Sequence, residues 1–283
     1  MPDAIKNARS AMVGRFFLVV VLAAGLISTA LETKALEITP ARCGSPLQRV
    51  ELARVVDGDT LLLAGGERLR VIGIDTPELA SERAPRQLFS RRAKAAAQAF
   101  FDGGANIGLR RGGQPNDRYG RSLAHVYRAD GQSLAQYLLA RGLAVHIVVP
   151  PNSDHWQCLA AAEVAARNGG LGLWGSLTPL KAAQLTAGDS GFALVQGRVN
   201  SVSRGGNSYW LALGNLALQI KDRDLRNFAS ADIMALKGKT VLLRGWIIDR
   251  SDSRSVSNRG FKPLLMQLRH RAMLQILAVE APP

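Results

Sequence analysis

Between residues 48 and 74 the chain alternates short apolar runs with turn residues: VELARVV, then Asp57-Gly58-Asp59, TLLLA, Gly65-Gly66 and RLRVIGI. Runs rich in Val, Leu and Ile, separated by Asp-Gly or Gly-Gly, predict a β-meander with tight hairpin turns. Pro85 then introduces RQLFSRRAKAAAQAFF, a stretch of helix formers closed by Gly103-Gly104, which predicts one helix. Two more extended runs, ANIGLRR and SLAHVYR, flank a polar turn over residues 112–120. Ser133 is placed to cap a short helix, SLAQYLLARGL, and beyond Pro150-Pro151 another helix is expected over residues 154–168, stopped by Asn168-Gly169-Gly170.

Five strands and a few helices within residues 43–175 predict a mainly β fold with packed helices (α+β), a small five-stranded barrel of the OB type. Residues 176–190 carry Pro, Gly and small polar residues with little periodicity and are expected to be a linker. Strand patterns resume over residues 191–279: GFALVQGRVNSV, a turn at Arg204-Gly205-Gly206-Asn207, SYWLALG and NLALQIKD. A polar helix-like stretch over residues 224–236 follows, then TVLLRGWIID, a basic loop through Arg254 and Arg259, and LLMQLRHRAMLQIL. This order predicts a second, smaller β-rich domain that is OB-like and accessory to the first.

The amino terminus changes the picture. Lys6, Arg9 and Arg15 precede a charge-free apolar stretch over residues 16–31, so residues 1–35 read as an export signal with small residues near Ser28, Ala30 and Ala35. The expectation is a periplasmic or secreted protein, with membrane anchoring only if the leader stays uncleaved. The net charge is +14, and residues 1–35 contribute four basic and two acidic side chains, so +12 belongs to the remainder. Such a balance points to a polyanionic partner. Cys43 and Cys158 are the two cysteines, and in an oxidising compartment they are expected to form a disulfide.

The candidate chemistry lies in Asp57-Gly58-Asp59-Thr60, preceded by Arg54, and in Ile74-Asp75-Thr76-Pro77-Glu78. Carboxylates at hairpin and strand ends are hard oxygen ligands of the kind calcium takes. Arg70 and the segment Asp117-Arg118-Tyr119-Gly120-Arg121 add guanidinium groups that stabilise negative charge on a phosphoryl group. With these motifs in this order, the region from Val50 to Trp174 resembles the staphylococcal nuclease (thermonuclease) family. The resemblance implies a Ca2+-dependent phosphodiesterase that cuts DNA and RNA with little sequence preference and leaves 3′-phosphate ends. It also implies roles: Asp59, Asp75 and Thr76, the last through its backbone carbonyl, as metal ligands; Glu78 beside the attacking water as general base; Arg70 as the phosphate clamp; Arg121 as the transition-state arginine; and Asp57 as a neighbouring acid that shapes the metal loop.

One departure concerns the tyrosines that pack against nucleotide in this family, where the present sequence reads His146-Ile147-Val148-Val149. Aliphatic Ile147 and Val149 offer no stacking face. His125, His146, His155 and His270 lack metal-ligand spacing and are assigned surface or core roles. In the second domain Tyr209, Trp210 and Trp246, beside Arg198, Arg204, Arg244 and Arg250, are candidates for a single-strand stacking surface. The rival readings are a catalytically silent nucleic-acid-binding protein of the envelope and an envelope protein whose second domain docks a partner. No stable protein partner is inferred.

Overall fold

The computed structural model describes residues 42–77, 89–102, 104–228, 232–253, 256 and 261–277. The export signal, Glu78 and the start of the first helix, Arg254 and Arg259 lie outside the described residues. The meander forms as β1 (Gln48–Val55), β2 (Thr60–Leu63) and β3 (Arg68–Val71). Alternation in these strands turns Leu61, Leu63, Leu69 and Val71 inward, where all are buried. After β4 (Ile74–Asp75) and α1 (Ser90–Phe100) come β5 (Asn106–Asn116) and β6 (Ser122–Tyr127). The five longer strands close a barrel in the order β1-β2-β3-β6-β5, with β3 and β6 parallel and the other pairs antiparallel.

β5 continues to Asn116, so the polar turn expected over 112–120 contracts to the Asp117–Arg121 loop, closed by Asp117 N–H donating to the Arg121 carbonyl at 2.9 Å. The helix α2 (Leu134–Leu139) begins at Ser133, whose hydroxyl accepts from Gln136 N–H. Beyond β7 (Val145–His146), which pairs with β4, α3 (Trp156–Asn168) packs on the barrel. The Cys43–Cys158 disulfide ties the entry segment to α3 across 115 positions. In the loop-entropy account such a closure contributes about 4–5 kcal/mol by restricting the unfolded chain.

The second half carries β8 (Leu180–Lys181), β9 (Gly191–Arg198), β10 (Ser201–Arg204), β11 (Ser208–Leu213), β12 (Leu216–Lys221), β13 (Thr240–Asp249), β14 (Leu264–Gln267) and β15 (Leu274–Ile276). Four expectations are corrected here. Residues 176–190 are not a free linker: β8 pairs with β9, and Ala182 and Leu185 plug the second core. The GFALVQGRVNSV run breaks between β9 and β10, where Asn200 N–H donates to Ala212 O and its side-chain oxygen accepts from Gly214 N–H. The helix-like stretch is two 3-10 turns, Asp222–Phe228 and Met234–Leu236. The last run divides into β14 and β15 around His270, whose Nδ1 accepts from Ala272 N–H.

The sheet runs β10-β11-β12-β14-β13-β9-β8, with β15 added on β13 and with β12 and β14 parallel. Counting β9 and β10 as one broken strand, this is the strand order of the barrel. The two halves have separate hydrophobic cores, but residues Ala41–Pro283 form one compact unit. A third apolar cluster joins the halves: Val145 and Leu173 from the first with Leu194 and Leu242 from the second, flanked by Trp174 and Phe192.

Candidate active site

The carboxylates are gathered by hairpin register. Asp59 is the residue before β2, and Thr60 pairs across the hairpin with Arg70 of β3, so the Arg70 side chain rises beside the Asp59 carboxylate. Asp59 is buried, and its Oδ2 accepts from Thr76 N–H at 2.7 Å, from the Thr76 hydroxyl at 2.8 Å and from Arg70 Nη1 at 3.0 Å. The Arg70 Nη2 reaches Asp75 Oδ1 at 2.5 Å, while Nη1 also donates to the Ile74 carbonyl at 2.8 Å. One guanidinium therefore bridges two carboxylates from separate strand ends, as charge-assisted bonds in a partly dehydrated pocket favour.

Gly58 in the Asp57-Gly58-Asp59 turn is fixed by close approach: a Cβ there would lie 2.7 Å from Thr76 Cγ2. The Asp57 Oδ1 accepts from Asp59 N–H, and burial followed by the charge of Asp59 raises the Asp57 pKa above the ordinary carboxylate value. Thus Asp57 braces the turn. Among the described residues no group of three or more His, Cys, Asp or Glu side chains surrounds a single point.

Arg121 belongs to the loop between β5 and β6. Its Nε donates to Asp117 Oδ2 at 2.7 Å, and its Nη1 approaches the Thr60 hydroxyl at 3.4 Å. The other Asp117 oxygen accepts from the backbone N–H groups of Tyr119 and Arg121, and Gly120 takes φ +79°, which lets the loop reverse. Burial pushes the Asp117 pKa up, but the bonds from Arg121 and Tyr119 outweigh it and leave the carboxyl below its usual range. Asp117 thereby orients Arg121, a role that the sequence reading did not assign. The exposed ring of Tyr119 lies close to two guanidinium groups, Arg118 at 4.7 Å and Arg121 at 5.6 Å from its centroid.

Arg70, Asp75, Asp117, Arg118, Tyr119 and Arg121 open on one cleft of about 910 Å³. Asn152, also missed, lines the cleft and staples the end of β5: its Oδ1 accepts from Gln114 N–H and its Nδ2 donates to Gln114 O. Its position just after Pro150-Pro151 was the available signal. The opposite side of the cleft comes from the second sheet and includes Phe192, Trp246 and Ile248.

The expected stacking surface of the second half is not assembled as one face. Tyr209 packs on the second core under Arg204, itself paired with Asp222, and Trp210 Nε1 donates to Gly205 O. Arg244 is buried: its Nη1 bonds Glu163 Oε2 at 2.6 Å and the His146 carbonyl at 3.0 Å, while Glu163 Oε1 accepts from His146 N–H. Arg244 therefore joins the sheets instead of tracking phosphates. His125, His146 and His270 are buried. Burial, with the charges of Arg244 and His270 adding to it, lowers His146 to about 3, and burial lowers His125 to about 4, with His155 against it.

The family described as staphylococcal nuclease homologue matches residues 68–176. A thermonuclease of Staphylococcus intermedius is 32% identical over 124 residues, covering 43% of this chain and 73% of that protein. The succinoglycan biosynthesis protein ExoI of Rhizobium meliloti is 31% identical, over 43% of this chain and 62% of that protein. Endonuclease YncB of Bacillus subtilis is 31% identical, over 48% of this chain and 69% of that protein. With the closed five-stranded barrel and this site geometry in place, the chain belongs to the staphylococcal nuclease family and is a nuclease.

Proposed function

We propose that this nuclease is an exported, Ca2+-dependent enzyme that hydrolyses phosphodiester bonds of DNA and RNA with little sequence preference and leaves 3′-phosphate ends. The observation that carries the reading is the convergence of Arg70, Asp75, Arg118 and Arg121 on one cleft, with Asp59 and Thr76 directly behind. Asp59 and Asp75 offer two carboxylates against the single charge of Arg70, and with the Thr76 carbonyl they make a hard-oxygen donor set that suits Ca2+. When bound, the ion supplies Lewis-acid polarisation of a phosphoryl oxygen.

The chain's own residues do the rest. Arg121, held by Asp117, places a guanidinium where negative charge grows as water attacks phosphorus and the 5′ oxygen departs. Arg70 balances the carboxylates and stands at the cleft floor as the phosphate clamp. Glu78, three residues after Asp75, is the general base implied by the family resemblance. Export follows from the leader over residues 1–35, with the periplasm or the medium as destination.

Residues 36–283 should digest plasmid DNA and single-stranded RNA with calcium and stop with excess chelator. Glu78→Gln and Arg121→Ala should each lower the rate by about 10²-fold or more with unchanged melting temperature. Full activity in either variant removes that residue's assigned role. Salt-sensitive DNA binding without any cleavage would convert the reading to a silent binding protein.

A further inference from the structure

The cleft has two walls of opposite character. Arg70, Arg118 and Arg121 stand on the barrel side, and the aliphatic Ile147 and Val149 sit beside them. The second half contributes Phe192, Trp246 and Ile248 together with Asp249, Gln267 and Arg269. Trp246 of β13 stands edge-to-face on Phe192 of β9, ring centroids 5.3 Å apart, and pairs with it in register. Despite that support it is 37% exposed, and Ile248, two residues on along the same face, is 44% exposed. An indole braced on one side and open towards an arginine-lined cleft is unlike a packing residue; Tyr209, by contrast, is folded onto the second core.

The charges sort the walls. Phosphates are drawn to the barrel side, which carries three guanidinium groups, whereas the second half carries one, Arg269, tied to the Pro150 carbonyl and offset by Asp249, whose Oδ1 is fixed by the N–H and hydroxyl of Ser251. Bases then face the apolar wall. A cleft of about 910 Å³ falls in the size range of small-ligand sites and suits a few nucleotides of one strand, not a duplex. Base–aromatic stacking tolerates any sequence, because every base has a π-face.

Resting on the nuclease reading above, we propose that Trp246, backed by Phe192, is the nucleobase platform of the active-site cleft, so that the second sheet completes the substrate site and favours unpaired strands. The test uses residues 36–283 and two single-stranded DNA oligonucleotides of equal length, one normal and one abasic around the scissile phosphate. Trp246→Leu keeps apolar contact with Phe192 but removes the ring face, and Trp246→Phe restores a face. The expected result is a KM for the normal oligonucleotide raised about tenfold or more in Trp246→Leu, at nearly unchanged kcat, with Trp246→Phe recovering most of the loss and no change on the abasic strand. An unchanged KM, or the same change on both strands, overturns the platform.

If the wild-type protein cuts neither strand, the nuclease reading fails and tryptophan fluorescence decides the platform separately. Quenching by the normal strand that exceeds quenching by the abasic one, and that is lost in Trp246→Leu, upholds it. Equal quenching in wild type and variant overturns it.

Discussion

The barrel and the second sheet place the same backbone register under different side chains. In the barrel, Val71 N–H donates to Asp59 O, and Arg70 pairs with Thr60; in the second sheet, Asp222 N–H donates to Asn207 O, and Lys221 pairs with Ser208. The cation survives and the hydroxyl survives, but the carboxylate of Asp59 is an amide at Asn207. Beyond β3 the barrel chain turns into Ile74-Asp75-Thr76, whereas beyond β12 it enters a 3-10 turn. At the parallel β12–β14 pair, Gln267 Nε2 donates to Gln219 Oε1, and Gln219 Nε2 to Ser208 Oγ, a neutral network. On the proposed function, chemistry rests on a few side chains at strand ends, and the strand order is compatible with either set.

Three changes break or sharpen this contrast. The largest effect falls where the halves meet. Arg244→Ala leaves Glu163 buried without its guanidinium and should destabilise the protein by about 3–5 kcal/mol, measured by denaturant unfolding. Adding Glu163→Leu should recover part of that loss, and an equally stable single variant would show that the pair does not hold the halves together. Next, Asp59→Asn gives the barrel the second sheet's residue and should lower cleavage of plasmid DNA by about 10²–10³-fold with the barrel still folded. The reciprocal Asn207→Asp should create no second activity in an Arg121→Ala background, since the acids that follow β12, Asp222 and Asp224, lie in a 3-10 helix, with Asp222 paired to Arg204.

The smallest effect is electrostatic. His125 sits inside the barrel half with a pKa held at about 4 by burial, below the ordinary value of 6.5. Its neutral form is favoured by folding, so the stabilisation is complete above pH 6.5 and declines as pH falls towards 4, where the unfolded chain binds the proton first. Denaturation midpoints at pH 7, 5.5 and 4.5 should fall more steeply for the wild type than for His125→Gln. Parallel slopes would mean that His125 does not carry the acid sensitivity.

The meander, the barrel and the start of α2 were legible because their signals are local: period-two apolar runs, Asp-Gly and Gly-Gly turns, and a serine at the helix start. Asp59, Arg70, Asp75 and Thr76 were legible as a set, since hairpin geometry brings strand ends together whatever else packs on them. Arg244 was not. Its neighbours in TVLLRGWIID suggest a strand cation on an open face, and its partner Glu163 lies 81 positions away on the helix expected over residues 154–168. The expected linker differs for a related reason: Ala182 and Leu185 are small or isolated apolar residues whose burial is decided by the β8–β9 pairing and the close seat that Gly197 leaves for Ala182, not by any periodicity. In the sequence Asp117 is one member of a motif, and its work as the holder of Arg121 is visible only in the loop geometry.

The apolar seam of Val145, Leu173, Leu194 and Leu242 also has a bearing on descent. A gene shortened after residue 175 would expose Val145, Leu173 and Trp174 as a sticky face and would strip the cleft of its tryptophan wall. With Val145 and Leu173 seated against it, the second sheet cannot be discarded without leaving that face bare. Mutations on one side of the seam are therefore judged by selection against residues on the other, and the halves are inherited as a single unit.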